Sequence, residues 1–320
     1  MDNHVLIVLL VVLPFLVAQL VYPFTLRFAI RHHVLDCPNE RKRQRIPVPV
    51  MGGLTVYAGV VVGTCIAYLF LHDNVLFVML AFLTVMMLIG LWDDLKDLQI
   101  SLRFVLEFLI VWMVMVTLHL GIDNFYGLWG VSLLPPQFYI PLSLIAGVGI
   151  INAINLMDGV DGYSSSYGIM TCTLFAVFFY HVGNYTMMSM AIVMAAALIP
   201  FLFHNVFGWT SKMYIGDSGT LMLGMLMTLM VFSVLTTNNT DMSLVGSNFS
   251  PVAFTLSLLS MPVFDTLRLM LTRIRQGKPL FRSDRSHLHH LYIEMNFSHV
   301  GATFCIMCRN MFVILAWFAS

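Results

Sequence analysis

The sequence predicts an all-α, polytopic integral membrane protein with about ten transmembrane helices and an active-site cleft at the cytoplasmic face. Three observations support this class. Hydrophobic residues make up 59% of the 320-residue chain, and charged residues only 10%, whereas soluble domains carry about a quarter charged residues. Apolar runs of roughly 20 residues, long enough to span a bilayer, recur along the chain. We expect one transmembrane domain over residues 1–320, without an internal repeat.

Short polar connections separate the apolar runs. The predicted spans are 4–26, 50–72, 75–92, 102–120, 138–152, 166–182, 186–204, 217–236, 251–273 and 299–318. The first run follows "MDNH", which lacks the basic start of a cleavable signal, so we expect it to remain as a helix. The five cysteines have no spacing typical of a disulfide framework or a zinc site.

Basic residues predict the orientation of the chain. Fifteen of the 16 Lys and Arg residues lie in, or at helix ends adjoining, one alternate set of loops, and Arg309 lies inside the last span. By the positive-inside rule this set faces the cytoplasm, and the N-terminus is periplasmic. The loops of this set are 27–49, 93–101, 153–165, 205–216 and 274–298.

The polar motifs all fall on this predicted face. They are "RKRQRIPVPVMGG" (41–53), "WDDLKD" (92–97), "NAINLMDGVDG" (152–162), "HNVFGWTSKMYIGDSGT" (204–220) and "RSDRSHLHH" (282–290). A wrong number of spans would scatter them over both faces, so their agreement supports the count. Because a buried unpaired carboxylate is costly, we interpret 151–166 as a break between spans that lines a hydrated cleft.

The aspartates of these motifs are candidates for metal binding and catalysis. Asp93 and Asp94 end a predicted span, Asp158 and Asp161 are three residues apart, and Asp217 stands in "IGDSG". Like charges in a confined site raise one another's pKa unless a cation compensates them. Oxygen ligands without a cysteine pair favour Mg²⁺ or Mn²⁺, and Mg²⁺ typically takes one or two carboxylates plus substrate phosphates.

Basic groups complement these acids in the first and last cytoplasmic loops. Arginine suits bidentate recognition of phosphate, and imidazoles can donate to phosphate oxygens or exchange protons. Acids and bases on one membrane face are typical of phosphoryl transfer, although each motif alone could be a topology signal, a lipid contact or a turn. The candidate basic residues are Arg45, Arg282, Arg285, His287, His289 and His290.

Five segments, in order along the chain, carry a family resemblance. They are "DCPNERKRQRIPVPVMGGLTVYAG" (36–59), "GLWDDLKDL" (90–98), "NAINLMDGVDG" (152–162), "GDSGTLMLG" (216–224) and "DRSHLHHL" (284–291). With them the sequence resembles the polyprenyl-phosphate N-acetylhexosamine-1-phosphate transferase family. The resemblance implies transfer of GlcNAc-1-phosphate from UDP-GlcNAc to undecaprenyl phosphate, release of UMP, and a need for Mg²⁺ or Mn²⁺. It also implies the bacterial inner membrane and the first membrane step of O-antigen or enterobacterial common antigen synthesis.

The resemblance further implies roles for single residues. Asp217 matches the metal ligand of the family, and Asp93 and Asp94 match its essential pair. Arg45 and Arg282 are further substrate-binding candidates, and "RIPVPVMGG" (45–53) is longer than the family pattern. The other matches are Asn155, Asp158 and Asp161 for the nucleotide- and catalysis-linked motif, Asn205 and Tyr214 for uracil, and Arg285, His287, His289 and His290 for the phosphates.

Several interpretations remain open. The same reaction could use another UDP-N-acetylhexosamine or UDP-MurNAc-pentapeptide; enzymes for the latter typically carry three consecutive histidines where this chain has "HLHH". A carboxylate-dependent membrane transporter is an alternative from another class, but transporters usually place acids near the midplane between repeated halves. A scaffold for anionic lipid would leave the aspartates without a purpose. Membrane lipid is an expected partner, nucleic acid is not, and a homodimer stays open.

Two mechanisms are compatible with these residues. The lipid phosphate has a second pKa of about 6, so it can attack the sugar-linked phosphorus directly, with Asp93 or Asp94 positioning it and taking any remaining proton. Alternatively, an aspartate acts first as a nucleophile. Inversion at phosphorus would support one step, and retention would support two.

Overall fold

The fold is known from a computed structural model that describes residues 3–36, 47–237, 249–277 and 287–319. This part of the chain is almost entirely helical, which confirms the all-α prediction. Two short antiparallel strands, β1 (Leu35–Asp36) and β2 (Val48–Pro49), follow the first helix. The helices are α1 (Asn3–Arg31), α2 (Gly52–Leu71), α3 (Val75–Lys96), α4 (Ile100–Leu118), α5 (Pro136–Met157), α6 (Tyr163–His181), α7 (Tyr185–Phe207), α8 (Gly216–Leu235), α9 (Pro251–Leu258), α10 (Ser260–Arg275), α11 (Leu288–Glu294) and α12 (His299–Ala319).

Each predicted span coincides with a helix or with the pair α9–α10. Among the described residues, eight helices are long and apolar enough to cross a bilayer, and nine if that bent pair is one span. Helix α6 falls outside this set because its first turn carries Tyr163 and three serines. On the outside of α4, the exposed side chains are apolar and lie three or four residues apart, as expected of a lipid-facing helix surface; they are Val105, Leu109, Trp112 and Val116.

Helix α8 is the central element of the fold. It packs against α2, α3, α5, α7 and α9, and its apolar window is fully buried. Because there is little hydrophobic driving force between helices in lipid, close backbone approach carries much of the packing. At the crossing with α5, a side chain on Gly224 would come within 2.7 Å of the Ile151 Cα atom. Glycine is therefore required at this helix crossing.

The ninth predicted span, 251–273, is broken in the structure. Helices α9 and α10 meet at 77° around Leu259. Pro262 has no N–H to give to the carbonyl of Leu258 and would clash with it in a straight helix. That carbonyl instead accepts from Tyr167 Oη at 3.3 Å and from Asn310 Nδ2 at 3.2 Å. The carbonyl of Leu258 is therefore paired in spite of the bend. The bend also directs α10 toward the histidine segment, residues 287–290.

Helix α5 is longer than predicted. The sequence predicts its end at residue 152, but the helix continues to Met157, so Asn152 and Asn155 lie in its last turns. Asn152 Nδ2 donates to Glu107 on α4, and Asn155 Nδ2 donates to Asp217 on α8 at 2.6 Å. Because these amides find partners on neighbouring helices, the polar residues do not have to leave the helix to be hydrogen-bonded. The connection is correspondingly short, residues 158–162.

Candidate active site

One large cavity collects the predicted motif residues. Its volume is about 2190 Å³. At its polar end it is lined by Asp93, Asp94, Asn155, Asp158, Asp161, Asn205, Tyr214, Asp217, His287, His289 and His290. Every predicted site residue within the described part of the chain lines this cavity. Arg45, Arg282 and Arg285, with the rest of the basic cluster at 41–45, lie outside the described residues.

The cavity continues from its polar end into an apolar groove between α4, α5, α8 and α9. Several groove side chains, among them Phe108, Leu142 and Ile145, are exposed. The apolar lining is Phe104, Phe108, Leu142, Ile145, Val231, Leu235, Val252 and Leu256. One continuous space therefore joins a highly polar end to a surface suited to hydrocarbon.

Glycines on α2 and α3 position the start of α8 at the polar end. A side chain at Gly90 would collide with the backbone of Asp217 and Ser218, and one at Gly53 with the backbone of Gly219. The N–H of Gly53 donates to the carbonyl of Ile215 at 2.8 Å. The paired glycines and the "GLWDD" segment thus act together, because they let two helices approach the residue that carries the Asp217 carboxylate.

The carboxylate of Asp94 caps α8. Its Oδ1 accepts from the backbone N–H of Asp217 at 2.8 Å, and its Oδ2 accepts from the N–H of Ser218 at 3.1 Å. The first N–H groups of a helix lack partners within the helix, and the positive end of the helix dipole favours an anion there. Asp94 therefore fixes the direction of α8 and with it the position of Asp217.

Asp93 and Asp217 share the guanidinium of Arg103. Arg103 Nη1 lies 2.9 Å from Asp93 Oδ2 and 3.6 Å from Asp217 Oδ2. The other oxygen of Asp93 accepts from the N–H of Leu98 at 2.8 Å. On the opposite side, Arg103 Nη2 donates to Asn152 Oδ1 at 3.2 Å. One nitrogen of Arg103 therefore contacts both acids, and its positive charge offsets their mutual repulsion.

Asn155 orients the other oxygen of Asp217. Its Nδ2 donates to Asp217 Oδ1 at 2.6 Å and to Thr220 Oγ1 at 2.8 Å. About a third of the Asp217 side chain stays exposed, 34%, compared with 11% for Asp93. Asp217 is thus held from two sides and still accessible from the cavity, as a ligand for a bound ion must be.

The side chains around Asp217 suit Mg²⁺ better than they suit a metal that needs three or four protein ligands. Among the described residues, no group of three or more His, Cys, Asp and Glu side chains is arranged to hold a metal ion. Mg²⁺, however, commonly binds one or two carboxylates and keeps its other positions for water and substrate phosphate. Asp217 and Asp93 supply two carboxylates that already share contact with one cationic group, so these residues fit such an ion.

The short loop after α5 brings Asp158 beside the histidines. Ser164 Oγ donates to Asp158 Oδ1. Burial raises the pKa of Asp158 to about 7, the serine bond opposes this, and the charges of Asp217 and Asp161 add to the increase. A side chain at Gly159 would collide with Nε2 of His289. Glycine at this position thus lets the imidazole lie directly against the loop.

Asp161 is paired with Lys212, which the sequence analysis counted only among the basic residues that indicate orientation. Lys212 Nζ lies 2.6 Å from Asp161 Oδ2, and His299 Nδ1 lies 3.7 Å from the same oxygen. Thr303 on α12 donates to the Asp161 carbonyl at 2.8 Å. The loop 158–162 is thereby attached to the segment before α8 and to the last helix.

Asn205 and Tyr214 differ in how they face the cavity. The buried amide of Asn205 accepts from the N–H of Gly162 at 2.6 Å and donates to the carbonyl of Met213 at 2.9 Å. It therefore ties two loops together. The ring of Tyr214 lines the cavity, with Lys212 Nζ 5.6 Å from its centre. Tyr214 thus presents an aromatic side chain to the cavity, whereas Asn205 is bonded to the loops beside it.

The histidine segment is anchored to α10. His287 Nδ1 lies 3.0 Å from Asp265 Oδ2, and the N–H of Leu288 donates to the same oxygen at 3.2 Å. His289 stacks on His287 with ring centres 5.8 Å apart and contacts the His290 ring at 4.1 Å. Burial, with the neighbouring imidazoles, lowers the pKa of His289 to about 3. His289 is therefore neutral at physiological pH, and its imidazole offers hydrogen-bonding groups without a charge.

The sequence analysis missed several residues at the site. It counted Arg103 and Arg268 only as topology markers, and it did not consider Glu107, Asn152 or Asp265 individually. The sequence did contain a signal for Arg103 and Glu107, because they lie four residues apart in an otherwise apolar helix. Ionisable residues within membrane spans are functional candidates. Asp265 has the weaker signal of a single acid on a helix with basic residues.

Comparison with known proteins identifies the family of the chain. The family model for glycosyl transferase family 4 matches residues 76–235, which include Asp93, Asp158 and Asp217. The chain is 28% identical over 307 residues to the "Probable undecaprenyl-phosphate N-acetylglucosaminyl 1-phosphate transferase" of Bacillus subtilis, covering 93% of this chain and 80% of that protein.

Relatives from other bacteria give similar values. The undecaprenyl-phosphate alpha-N-acetylglucosaminyl 1-phosphate transferase of Escherichia coli K12 is 29% identical over 289 residues, covering 89% of this chain and 76% of the relative. The protein of the same name from Salmonella typhi is 28% identical over 277 residues, covering 85% and 72%. With the family model matching half of its length, the chain belongs to glycosyl transferase family 4.

Proposed function

We propose that the protein transfers GlcNAc-1-phosphate from UDP-GlcNAc to undecaprenyl phosphate and releases UMP. The observation that carries the proposal is the single cavity that joins the carboxylates of Asp93 and Asp217 to an apolar groove. At about 2190 Å³ it exceeds the roughly 300–1,000 Å³ typical of a pocket for one small molecule. A nucleotide sugar and the head of a lipid phosphate can therefore occupy it together.

The donor is assigned to the polar end. The ring of Tyr214 offers a surface for the uracil base, and Asn205 holds the two loops that border it. Neutral His289, beside His290, can donate to phosphate oxygens without adding charge. Arg45, Arg282 and Arg285 remain proposed phosphate-binding residues on the basis of the family resemblance.

The acceptor is assigned to the groove between α4, α5, α8 and α9. Exposed apolar side chains such as Phe108 and Ile145 suit a polyprenyl chain that arrives from the bilayer. The charged head of the lipid then lies beside Asp93, where the groove meets the polar end. This arrangement lets the acceptor enter without leaving the membrane.

We favour direct attack of the lipid phosphate on the sugar-linked phosphorus. A lipid phosphate oxygen forms the new P–O bond, the bond to the other phosphate breaks, and UMP leaves with that electron pair. Asp93 lines the cavity and contacts Arg103 on α4, one of the groove helices, so we assign it to position the attacking oxygen and take any remaining proton. Asp94 acts through α8 as a positioning residue, because both its oxygens accept backbone N–H groups.

Asp217 and Asp93 would hold Mg²⁺ or Mn²⁺. Such an ion neutralises charge on the pyrophosphate and on the departing nucleotide. Asn155 keeps the Asp217 carboxylate turned toward the cavity, and Asp94 keeps its backbone in place. We further propose that this end of the cavity faces the cytoplasm of a bacterial inner membrane, with the N-terminus on the periplasmic side.

Transfer by purified protein tests the proposal. Protein incubated with undecaprenyl phosphate, Mg²⁺ and radiolabelled UDP-GlcNAc should form a labelled lipid, and Asp217→Ala should not. Asp73→Asn is the control, because it removes an acid at the other end of α3, roughly 30 Å from Asp93. Parallel reactions with UDP-GalNAc and UDP-MurNAc-pentapeptide identify the donor. Absence of a labelled lipid with every donor, from folded protein, would refute the assignment.

A further inference from the structure

Arg103 stands where a cation would bind. Its Nη1 approaches Asp93 Oδ2 and Asp217 Oδ2 at 2.9 and 3.6 Å. These are the two carboxylates assigned above to a divalent ion. An ion bound to both of these oxygens would lie close to the positive charge of Nη1, so we expect the Arg103 side chain to shift when the ion binds.

A second acceptor for Arg103 lies buried on the same helix. Glu107, one turn along α4, is completely buried, and its Oε1 lies 3.5 Å from Arg103 Nε. Within the described residues, neither Arg103 Nε nor Glu107 Oε1 has a hydrogen-bond partner. Unpaired buried polar atoms cost about 1–3 kcal/mol each. A small shift of the guanidinium toward Glu107 would pair both atoms at once.

Asn152 connects the two positions. Its Oδ1 accepts from Arg103 Nη2 at 3.2 Å, and its Nδ2 donates to Glu107 Oε2. The same Nδ2 also donates to the carbonyl of Val148 at 3.0 Å. The amide is therefore fixed in orientation, and it presents an acceptor to Arg103 beside the glutamate.

We propose that Arg103 is a built-in counter-ion that holds Asp93 and Asp217 until a divalent cation binds, and that Glu107 and Asn152 receive its guanidinium when the cation takes its place. The proposal rests on the proposed function for the assignment of a divalent ion to Asp93 and Asp217. Glu107 and Asn152 are positioning residues, because they act through Arg103 and not on the substrates.

The net charge of these four side chains supports an exchange of Arg103 for a divalent cation at the two aspartates. Asp93, Asp217 and Glu107 contribute three negative charges when ionised, and Arg103 contributes one positive charge, which leaves two negative charges. A divalent cation neutralises these two if Arg103 stays inside the group, next to Glu107. Buried charges are tolerated only when they are paired, so retention of the arginine beside the glutamate is required.

Alternatively, Arg103 stays in place and holds the two carboxylates when the ion binds. The two roles predict opposite changes in ion affinity when Arg103 is removed. If Arg103 competes with the ion, a variant without it should bind the ion more tightly. If Arg103 is needed to hold the carboxylates in place, the same variant should bind the ion more weakly. The double variant Arg103→Gln/Glu107→Gln removes one charge of each sign, so it keeps the local net charge. Asp93 and Asp217 then keep their hydrogen bonds from the N–H of Leu98 and from Asn155 Nδ2.

Binding of Mn²⁺ to purified full-length protein, measured by electron paramagnetic resonance of the free ion, tests the proposal without substrates. We expect the double variant to have a dissociation constant at least about fivefold lower than the unaltered protein, or about 1 kcal/mol. Glu107→Gln alone should raise the dissociation constant at least about fivefold, because Arg103 then loses its charged alternative partner. Asp73→Asn is the matched control and should leave binding unchanged.

An unchanged or raised dissociation constant in the double variant, with its thermal unfolding midpoint near that of the unaltered protein, would overturn the proposal. If the double variant unfolds, Glu107→Asp provides the second test. It keeps the negative charge but withdraws the carboxylate from Arg103 Nε, so it should weaken Mn²⁺ binding; unchanged binding would overturn the proposal. Failure of the proposed function has a different signature, since the protein would then form no labelled lipid while the binding differences persist.

Discussion

Asp93, Asp94 and Asp217 are neighbours at one end of the cavity, yet their carboxylates have different partners. Asp94 is occupied by two backbone N–H groups, Asp93 pairs with Arg103, and Asp217 keeps about a third of its side chain exposed. Sequence proximity made Asp93 and Asp94 equivalent candidates. Only their contacts separate a residue that positions α8 from one that can reach a substrate.

The loop carboxylate Asp158 leads to a pH-dependent prediction. Its pKa of about 7 lies above the value of 3.8 expected in unfolded chain. The neutral Asp158 carboxyl therefore makes its full contribution to the stability of the folded protein below about pH 4. That contribution is lost as the pH rises through 7. Asp158→Asn, which cannot ionise, should therefore be more stable than the unaltered protein at pH 8 but not at pH 4. We expect a difference of about 1 kcal/mol, because the carboxyl is partly exposed to the cavity.

Thermal unfolding of both proteins at the two pH values checks this expectation. An equal effect of Asp158→Asn at pH 4 and pH 8 would contradict it. The same variant, and Asp161→Asn, should lose most transfer activity while remaining folded, since both residues line the polar end of the cavity.

Gly159 allows a second prediction at the residue scale. Gly159→Ala places a methyl group against Nε2 of His289, so the imidazole must move away from the loop. Because a misplacement of about 1 Å can cost up to 100-fold in rate, transfer should fall at least tenfold. Ala81→Val is the control, because Ala81 is exposed on α3 and lies outside the cavity lining. Equal activity of the two variants would show that the position of His289 is unimportant.

At the scale of elements, the site depends on how closely α2 and α3 approach α8. The long apolar runs predict that these helices exist, and their limits agree with the prediction to within a few residues. The contacts between them are set by Gly53 and Gly90, which were part of recognised motifs but had no assigned physical role. The bend between α9 and α10 is a similar case, because Pro262 was visible in a segment that was predicted as one straight span.

Gly90→Ala tests the close approach of α3 and α8. The added methyl group would collide with the backbone of Asp217 and Ser218, and overpacking of this kind costs typically about 1–3 kcal/mol. We expect a lower thermal unfolding midpoint and weaker Mn²⁺ binding than in the unaltered protein. Gly149→Ala, also within a helix, should not lower the midpoint, because a methyl group there meets no atom within 4 Å. A Gly90→Ala protein with unchanged Mn²⁺ affinity would argue against Asp217 as a ligand.

On the scale of the whole molecule, the helices bring distant motifs to one cavity. Four polar segments lie at the same end of the helices, as the distribution of basic residues predicted. They are residues 93–98, 158–162, 212–217 and 287–290. The all-α architecture follows directly from composition and from the length of the apolar runs. The orientation of that cavity in the membrane remains a prediction of the positive-inside rule.

Labelling with a membrane-impermeant thiol reagent tests that orientation. In a cysteine-free background, Leu95→Cys and Met295→Cys, both at exposed positions, should react only from the cytoplasmic side. Asn74→Cys, at the opposite end of α3 and without a capping bond to lose, should react only from the periplasmic side. Reaction of Leu95→Cys and Met295→Cys from different compartments would contradict both the topology and the shared site.

Sequence alone determined the helical membrane class, the approximate spans and the set of motif residues, because apolar length and charge distribution are local properties of the chain. It could not decide which carboxylate caps a helix, that Lys212 pairs with Asp161, or that Arg103 contacts both Asp93 and Asp217. Those contacts join residues separated by 10 to 124 positions. They are distances of 2.6–3.6 Å between different segments of the chain, and only the packing of the folded chain fixes such distances.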